Sequence, residues 1–429
     1  MRDKKSGHTD QEDTRSGSGQ VVQQEQQEQQ EQRRHTLRAS RISRNGAKRE
    51  RLSSLMDKIG ELAGRFAERA SQHDREGTFP YENIADLREA GYLALTVPSR
   101  YGGMGASLYE LVVLQERLAR GDGATALSLG WHLTAIMELD VRRSWKEDTF
   151  AELCKDVVEA GSLVNKLATE PATGSPARGG RPQTTAKRTE DGWLLNGRKT
   201  FATMGTALDY LIVSAGIEGE EGIGEFLLRK DTPGICFVPT WDTLGMRGTR
   251  SDDLYLEDVR VPEEALVQLL NKKTGYKSLG GWYLHIPACY LGIAQAARDY
   301  AVEFAAAYST NSTNGPIRHL PNVRQLVGRI DLELLTARHL VHAVAKRWDA
   351  EPEARNELGT ELAAAKHVAT NTAVSVVDMA MRVVGGHSLF RSSPLERYYR
   401  DVRAGLHNPP ADEITLGMLA NKAFEAYDD

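Results

Sequence analysis

Apolar residues first recur at helical spacing in Leu55, Ile59, Leu62 and Phe66, and Ile84, Leu87 and Tyr92 complete a second helix. After Val97-Pro-Ser-Arg-Tyr-Gly-Gly-Met-Gly, where glycines let the chain turn sharply, Leu108 to Leu118 and Ala126 to Leu139 resume that spacing. Beyond about Gly161 the texture becomes that of strands. Leu211-Ile-Val-Ser-Ala, Phe226-Leu-Leu and Ile235-Cys-Phe-Val are short apolar runs, and Gly192-Trp-Leu-Leu-Asn-Gly carries a turn pair at each end. Helical spacing returns in Tyr290 to Ala307, Leu320 to Trp348 and Glu361 to Val384. The order is α, then β, then α, without βαβ alternation, which excludes a Rossmann or TIM architecture. The pattern predicts an α+β chain with an N-terminal all-α domain over 52–160, a middle β-barrel-like domain over 161–272 and a C-terminal four-helix-bundle domain over 273–429. Residues 1–51, a Gln/Glu repeat followed by an Arg/Ser/Lys stretch, hold too few large apolar residues to offset their ordering entropy and read as a disordered tail.

With 429 residues, 40% of them hydrophobic, the chain can bury a sizeable core. A net charge of -5 gives no global attraction to nucleic acid or anionic lipid, so neither is expected as a partner. Cys154, Cys236 and Cys289 lack CxxC spacing, which argues against a disulfide framework and a cysteine-rich metal site. No apolar run approaches the roughly 20 residues that span a bilayer. A cytoplasmic protein is the expectation, and no GxGxxG or GxxxxGK[ST] phosphate loop is present.

The informative stretches are Val97-Pro-Ser-Arg-Tyr-Gly-Gly-Met-Gly, Thr169-Glu-Pro-Ala-Thr-Gly-Ser, Asp191-Gly-Trp-Leu-Leu-Asn-Gly-Arg-Lys-Thr-Phe-Ala-Thr, Leu256-Glu-Asp-Val-Arg-Val-Pro, Gly385-Gly and Arg400-Asp. A flavin ring needs apolar walls for its faces and a few hydroxyl and backbone donors for its edge. Thr169 and Ser175 lie in a Gly/Pro-bent segment that can expose such donors, and Phe201 with Thr203 offers an aromatic wall beside a hydroxyl. In order and spacing, from about Leu52 to Phe424, these stretches resemble the acyl-CoA dehydrogenase superfamily of flavoproteins. The resemblance implies FAD, with Thr169 bonding the flavin, Ser175 beside the pyrophosphate, and Phe201 and Thr203 against the ring. It also implies that Gly385-Gly386 approaches the adenosine half of a neighbouring subunit's FAD in a homodimer or homotetramer. The other reading of the pair is a helix C-cap, which demands glycine equally. The reaction implied first is α,β-dehydrogenation of an acyl-CoA or acyl carrier thioester, with electrons passing to an acceptor flavoprotein.

The sequence departs from that pattern where the chemistry should be. In most of the family a glutamate at a fixed offset from Arg-Asp removes the α-proton; counted from Arg400-Asp401, that position is Pro409. A minority takes the base from an earlier helix, and counting back from Gly292-Ile-Ala-Gln reaches Trp282. The arginine that grips the neighbour's pyrophosphate is replaced by Asn311, with Asn314-Gly315 where Phe-Gly belongs. Leu406-His407-Asn408-Pro409-Pro410 and Trp131-His132-Leu133 instead resemble the flavin-dependent monooxygenases that share this fold. His407 and His132 are therefore the candidate catalytic residues, since an imidazole can take or give a proton near neutral pH. A hydrogen-bonded core position for His132 and a turn-stabilising one for His407 are the alternatives. Asp412 and Glu413 could supply a relocated base or simply favour the positive end of the last helix. Besides dehydrogenation, two further readings follow. One is a two-component monooxygenase fed with reduced flavin or FMN by a reductase; the other is a non-catalytic flavoprotein.

Overall fold

The structure, a computed structural model, describes residues 17–173, 180–270 and 280–427, with side chains from residue 48 onward and at 46. Met1–Asp57 and Lys58–Asp429 are two compact units. In the first, helix α1 (Gly17–Glu76) begins at Gly17, so the segment expected to be without structure is helical from that point. Gln, Glu, Lys and Arg are good helix formers even where no apolar stripe exists to dock. Residues 1–16 lie outside the described residues.

In the second unit the remainder of α1 buries Ile59, Leu62, Phe66 and Ala70. It is followed by α2 (Tyr81–Glu89), α3 (Leu108–Ala119), α4 (Gly123–Arg142) and α5 (Glu147–Glu159). A capping box starts α3: Ser107 Oγ accepts from the Glu110 N–H while the Glu110 carboxylate accepts from the Ser107 N–H. Asp122 caps α4 by accepting from the N–H groups of Ala124 and Thr125. Glycine is required between these helices, because a Cβ on Gly121 would run into the Ala63 carbonyl.

The middle region is one eight-stranded sheet. Its strands are β1 (Val164–Leu167), β2 (Thr185–Thr189), β3 (Gly192–Ala202), β4 (Tyr210–Ile217), β5 (Ile223–Arg229), β6 (Ile235–Val238), β7 (Asp252–Val261) and β8 (Leu266–Leu270). They run in the order β6-β7-β3-β2-β4-β5-β8, and β1 pairs in parallel with β4, every residue of which is buried. Asn196-Gly197, which reads as a turn, lies inside β3 instead. Gly197 has φ 155° and the register against β7 shifts between Leu195 and Gly197, where β7 carries the extra residue, so the pair lies opposite a bulge rather than reversing the chain.

Helices α6 (His285–Ala307), α7 (Pro321–Ala350) and α8 (Gly359–Val384) pack on one another, and α3 packs on α6 and α7. Helices α9 (Pro394–Ala404) and α10 (Asp412–Phe424) lie against α8. A buried charge cluster joins α9 to α1, α4 and the segment before β7. Arg400 donates to both oxygens of Asp74, at 2.9 and 2.5 Å. Asp401 Oδ1 accepts from the Met246 N–H at 2.6 Å. Arg397 lies 3.7 Å from Asp122 and 3.8 Å from Asp401. A Cβ on Gly245 would meet the Arg400 backbone, so glycine lets the two segments touch.

Burial pushes the Asp401 carboxyl up to about 7, against the pull of Arg397 and the Met246 N–H. In the unfolded chain an aspartate titrates near ~3.9. The folded state therefore holds the proton more tightly, and this group's contribution to stability is full below pH ~4 and is lost as pH rises through about 7. We expect Asp401→Asn, which keeps an acceptor for Met246, to flatten the fall in unfolding free energy between about pH 4 and pH 7. Denaturation at each pH reads the slope, and an unaltered slope contradicts the assignment.

Candidate active site

A cavity of about 850 Å³ lies between α4, the sheet and the end of α9. That volume falls within the range of small-molecule sites. One wall is made by the ends of β1 and β3 and the loop before β7. Thr203 Oγ1 lies 2.8 Å from Ser251 Oγ, which lies 2.9 Å from Thr249 Oγ1, so three hydroxyls form a chain along this wall. Asn165 Nδ2 donates to the Thr203 carbonyl at 3.2 Å, and the Thr200 N–H donates to the Thr169 carbonyl at 2.9 Å. These bonds tie the Thr169 segment and β1 to the end of β3. There the register against β7 shifts again and Phe201 takes φ 58°. The ring is thereby turned out of the sheet, 59% exposed, into an edge contact with Trp241 at 5.7 Å.

Behind this wall Lys199 and Glu170 form a buried pair, Nζ to Oε1 2.6 Å. Burial pulls the Lys199 ammonium down from its ordinary value and Glu170 opposes it. Glu170 also accepts from the backbone N–H of Gln183 at 2.5 Å and of Thr184 at 3.1 Å, which with Lys199 outweighs its own burial and holds it low.

The opposite wall is a face of α4. Trp131, Thr134, Glu138 and Arg142 follow one another at three- and four-residue intervals and all line the cavity. Glu138 receives Arg142 Nε at 3.1 Å and Lys166 Nζ at 3.3 Å. Burial opposes the charge on Lys166, but Glu225 at 3.4 Å and Glu138 together raise it above its ordinary value. Trp282 and Tyr283 close this end, with the Arg142 guanidinium 4.9 Å over the Trp282 ring. Arg403, His407, Asn408, Pro409 and Pro410 close the other. Asn408 accepts from the Tyr290 hydroxyl at 2.6 Å, while the His407 imidazole is exposed and has no partner among the described residues.

Of the residues singled out from sequence, Thr169, Phe201, Thr203 and His407 line the cavity together, as do Trp282 and Pro409. Ser175 lies outside the described residues. His132 does not line the cavity. It is fully buried, its Nε2 faces the Leu93 carbonyl at 2.9 Å and its Nδ1 accepts from the Val164 N–H at 3.1 Å. Burial lowers it to about 4, so the neutral Nε2–H form bridges α4, the Leu93 turn and β1 with no nitrogen left for a substrate. Gly385 ends α8 with φ 69° and Gly386 is exposed; neither lines the cavity. Asn311 is exposed in the turn after α6. Asp412 faces α8, 3.0 Å from His367, and Glu413 is exposed, so neither carboxylate reaches the cavity. The sequence reading missed Glu138, Arg142, Lys166, Trp241, Ser251, Tyr283 and Arg403. A signal for the first two was present, since Glu138 and Arg142 extend the Trp131–Thr134 face of a helix otherwise filled with apolar residues.

Residues 51–144 match the N-terminal domain, 166–259 the middle domain and 284–408 the C-terminal domain of acyl-CoA dehydrogenases. YdbM of Bacillus subtilis (strain 168), named for the same family, is 54% identical over 371 residues, covering 86% of this chain and 97% of its own. The chain belongs to the acyl-CoA dehydrogenase family. The L-evernosamine nitrososynthase of a Micromonospora species is 30% identical over 82% of this acyl-CoA dehydrogenase family chain and 85% of its own. Among solved structures, KijD3 in complex with FMN and a dTDP-linked amino sugar superposes with a TM-score of 0.76 at 26% identity, covering 87% of this chain and 94% of its own. Butyryl-CoA dehydrogenase from Megasphaera elsdenii superposes with a TM-score of 0.76 at 25% identity, covering 86% and 98%. The family is one of flavoproteins, and its branches differ in reaction. No helix among the described residues is long and apolar enough to cross a membrane.

The cavity fits a flavin. It offers an exposed aromatic ring, a run of hydroxyls and bent backbone at Thr169 on one wall, where the ring's edge needs donors. The Lys199–Glu170 pair supports that wall from behind. We expect Lys199→Met, which strands a buried carboxylate, to destabilise the fold by about 3–5 kcal/mol. The double change Lys199→Met with Glu170→Gln, which removes the stranded charge and keeps an acceptor for the Gln183 and Thr184 N–H groups, should recover most of that loss. Chemical denaturation of the three variants decides it, and a double mutant no better than the single one contradicts the pairing argument.

Proposed function

We propose that this chain is a flavin-dependent oxidoreductase that takes reduced flavin and O2 to a small-molecule substrate, rather than a dehydrogenase of acyl thioesters. The observation that carries this reading is the state of the acid–base groups in the cavity. Trp282 and Pro409, the two positions where the family pattern places a glutamate base, both line it and neither can accept a proton. Among the described residues the carboxylates that line it are Glu138 and Glu170. Glu138 has a cation on each oxygen, and Glu170 is held by Lys199 and two backbone N–H groups. His407 is the lining group free to exchange a proton, since its ring has no partner among the described residues.

Reduced flavin, when bound, supplies the two electrons that activate O2. Thr169, Thr203 and Ser251 would hold the ring's polar edge and Phe201 and Trp241 would cover it. His407 would give a proton to a departing oxygen or take one from a substrate hydroxyl or amine. The nitrososynthase likeness and the FMN in the KijD3 structure support this branch, and the exposed Asn311, in place of an arginine for the pyrophosphate, supports FMN or a loosely held FAD delivered by a separate reductase. Dehydrogenation of an acyl-CoA remains the competing reading because YdbM and butyryl-CoA dehydrogenase carry that family name. Assembly into a homodimer or homotetramer with Gly385-Gly386 beside a neighbour's cofactor belongs to the same proposal.

We expect His407→Ala to lower O2-dependent turnover at least about tenfold, with flavin affinity unchanged, and Asp412→Ala and Glu413→Ala to leave turnover within about twofold, since neither reaches the cavity. Thr203→Val should weaken flavin retention. Anaerobic mixing with a panel of acyl-CoAs provides the opposing test. Bleaching of the bound flavin by an acyl-CoA, undiminished in His407→Ala, would establish dehydrogenation and remove this proposal.

A further inference from the structure

Among the charged side chains that line the cavity, the hydrogen-bonding capacity left over belongs to the cations. Each oxygen of Glu138 already faces a cation, and Glu170 is likewise occupied. Arg142, by contrast, is engaged through Nε alone, and its Nη groups have no acceptor among the described residues. Guanidinium N–H donors form a rigid planar fork, and those on Nη make up most of it. Two contacts already fix that plane, Glu138 at Nε and the Trp282 ring beneath it at 4.9 Å, so little side-chain freedom is left to lose on binding.

Next to it, the Tyr283 hydroxyl lines the cavity with no hydrogen-bond partner among the described residues. Burial pushes it up to about 12, which keeps it a donor at neutral pH. At the other end Arg403 stacks 4.4 Å from the Tyr399 ring with no carboxylate in ion-pair reach among the described residues. Among the described residues no carboxylate is left free to pair with these cations, so an anionic ligand would supply the missing acceptor. A plain alkyl chain laid on this wall would bury the Arg142 fork without a partner, which is costly.

Resting on the reading that this cavity receives the substrate, we propose that the substrate carries an anionic oxygen group, a carboxylate, sulfonate or phosphate, received by the Nη fork of Arg142 with the Tyr283 hydroxyl as second donor. Its body is flat and apolar, since the Trp282 ring lies under the fork and Trp131 lines the same cavity. Glu138 does not repel the group, because Lys166 and Arg142 Nε already neutralise it; its part is to brace the fork.

Calorimetric titration of the full chain with benzoate, benzenesulfonate and phenyl phosphate, each beside neutral benzamide, tests this directly. We expect at least one of the three anions to bind about tenfold or more tighter than benzamide, and the preferred anion tells which oxygen group the site takes. Arg142→Gln should abolish the preference, Arg142→Lys should keep part of it, and Tyr283→Phe should reduce it. Benzamide binding as tightly as all three anions, or a preference that survives Arg142→Gln, overturns the proposal. Flavin titration of the same samples separates the two readings. Flavin affinity preserved in Arg142→Gln while the anion preference disappears supports the fork assignment. A wild-type chain that binds the anions but no flavin would sink the flavin reading alone.

Discussion

The constraint on which the rest of the structure depends is the burial of opposed charges where α9 meets α1, α4 and the segment before β7. Asp74, Asp122 and Asp401 sit with Arg397 and Arg400 at a junction that excludes most water. Such a cluster is costly to assemble, and its worth lies in what its geometry forbids. Asp401 can accept from the Met246 N–H only if the 241–251 segment lies flat on α9, and Gly245 lets the two backbones touch. That segment carries Trp241, Thr249 and Ser251 into the cavity. The hydroxyl wall and the His407 loop therefore come from separate parts of the chain and are registered by one electrostatic joint.

Pairing of charge also decides what the cavity can do. Among the described residues two carboxylates line it and both are engaged, so the anions there serve to position cations and strands. The His407 imidazole at the end of α9 has no such partner among the described residues, and an indole and a proline, Trp282 and Pro409, line the same cavity.

The fold was legible because it rests on periodicity. Helical spacing in Leu55 to Phe66 and Leu108 to Leu139, and short apolar runs between 211 and 238, mark α1, α3, α4, β4, β5 and β6. One cavity wall was legible too, since Thr169, Phe201 and Thr203 line it together. The charged wall was not. Glu138 and Lys166 lie 28 residues apart and meet only once β1 is docked beside α4, a contact no local pattern announces. His132 misled for the opposite reason. A histidine among leucines looks chemical in sequence, and only the Leu93 carbonyl and the Val164 N–H reveal it as a satisfied core group. Asn196-Gly197 shows a third limit, since a turn dipeptide can also run through a strand opposite a bulge in its neighbour.

The two register shifts in β3 have a bearing on how this protein can change over evolutionary time. Alternation puts Trp193, Leu195 and Lys199 on the buried side, and the second shift then sends Phe201 outward while Ala202 turns in. The parity of one strand thus assigns a charge to the interior and an aromatic ring to the cavity. Substitutions can drift along this strand one at a time, but an insertion or deletion of a single residue between the shifts would exchange the two faces at once. The length of that strand is inherited as a unit, and the cavity's aromatic wall is inherited with it.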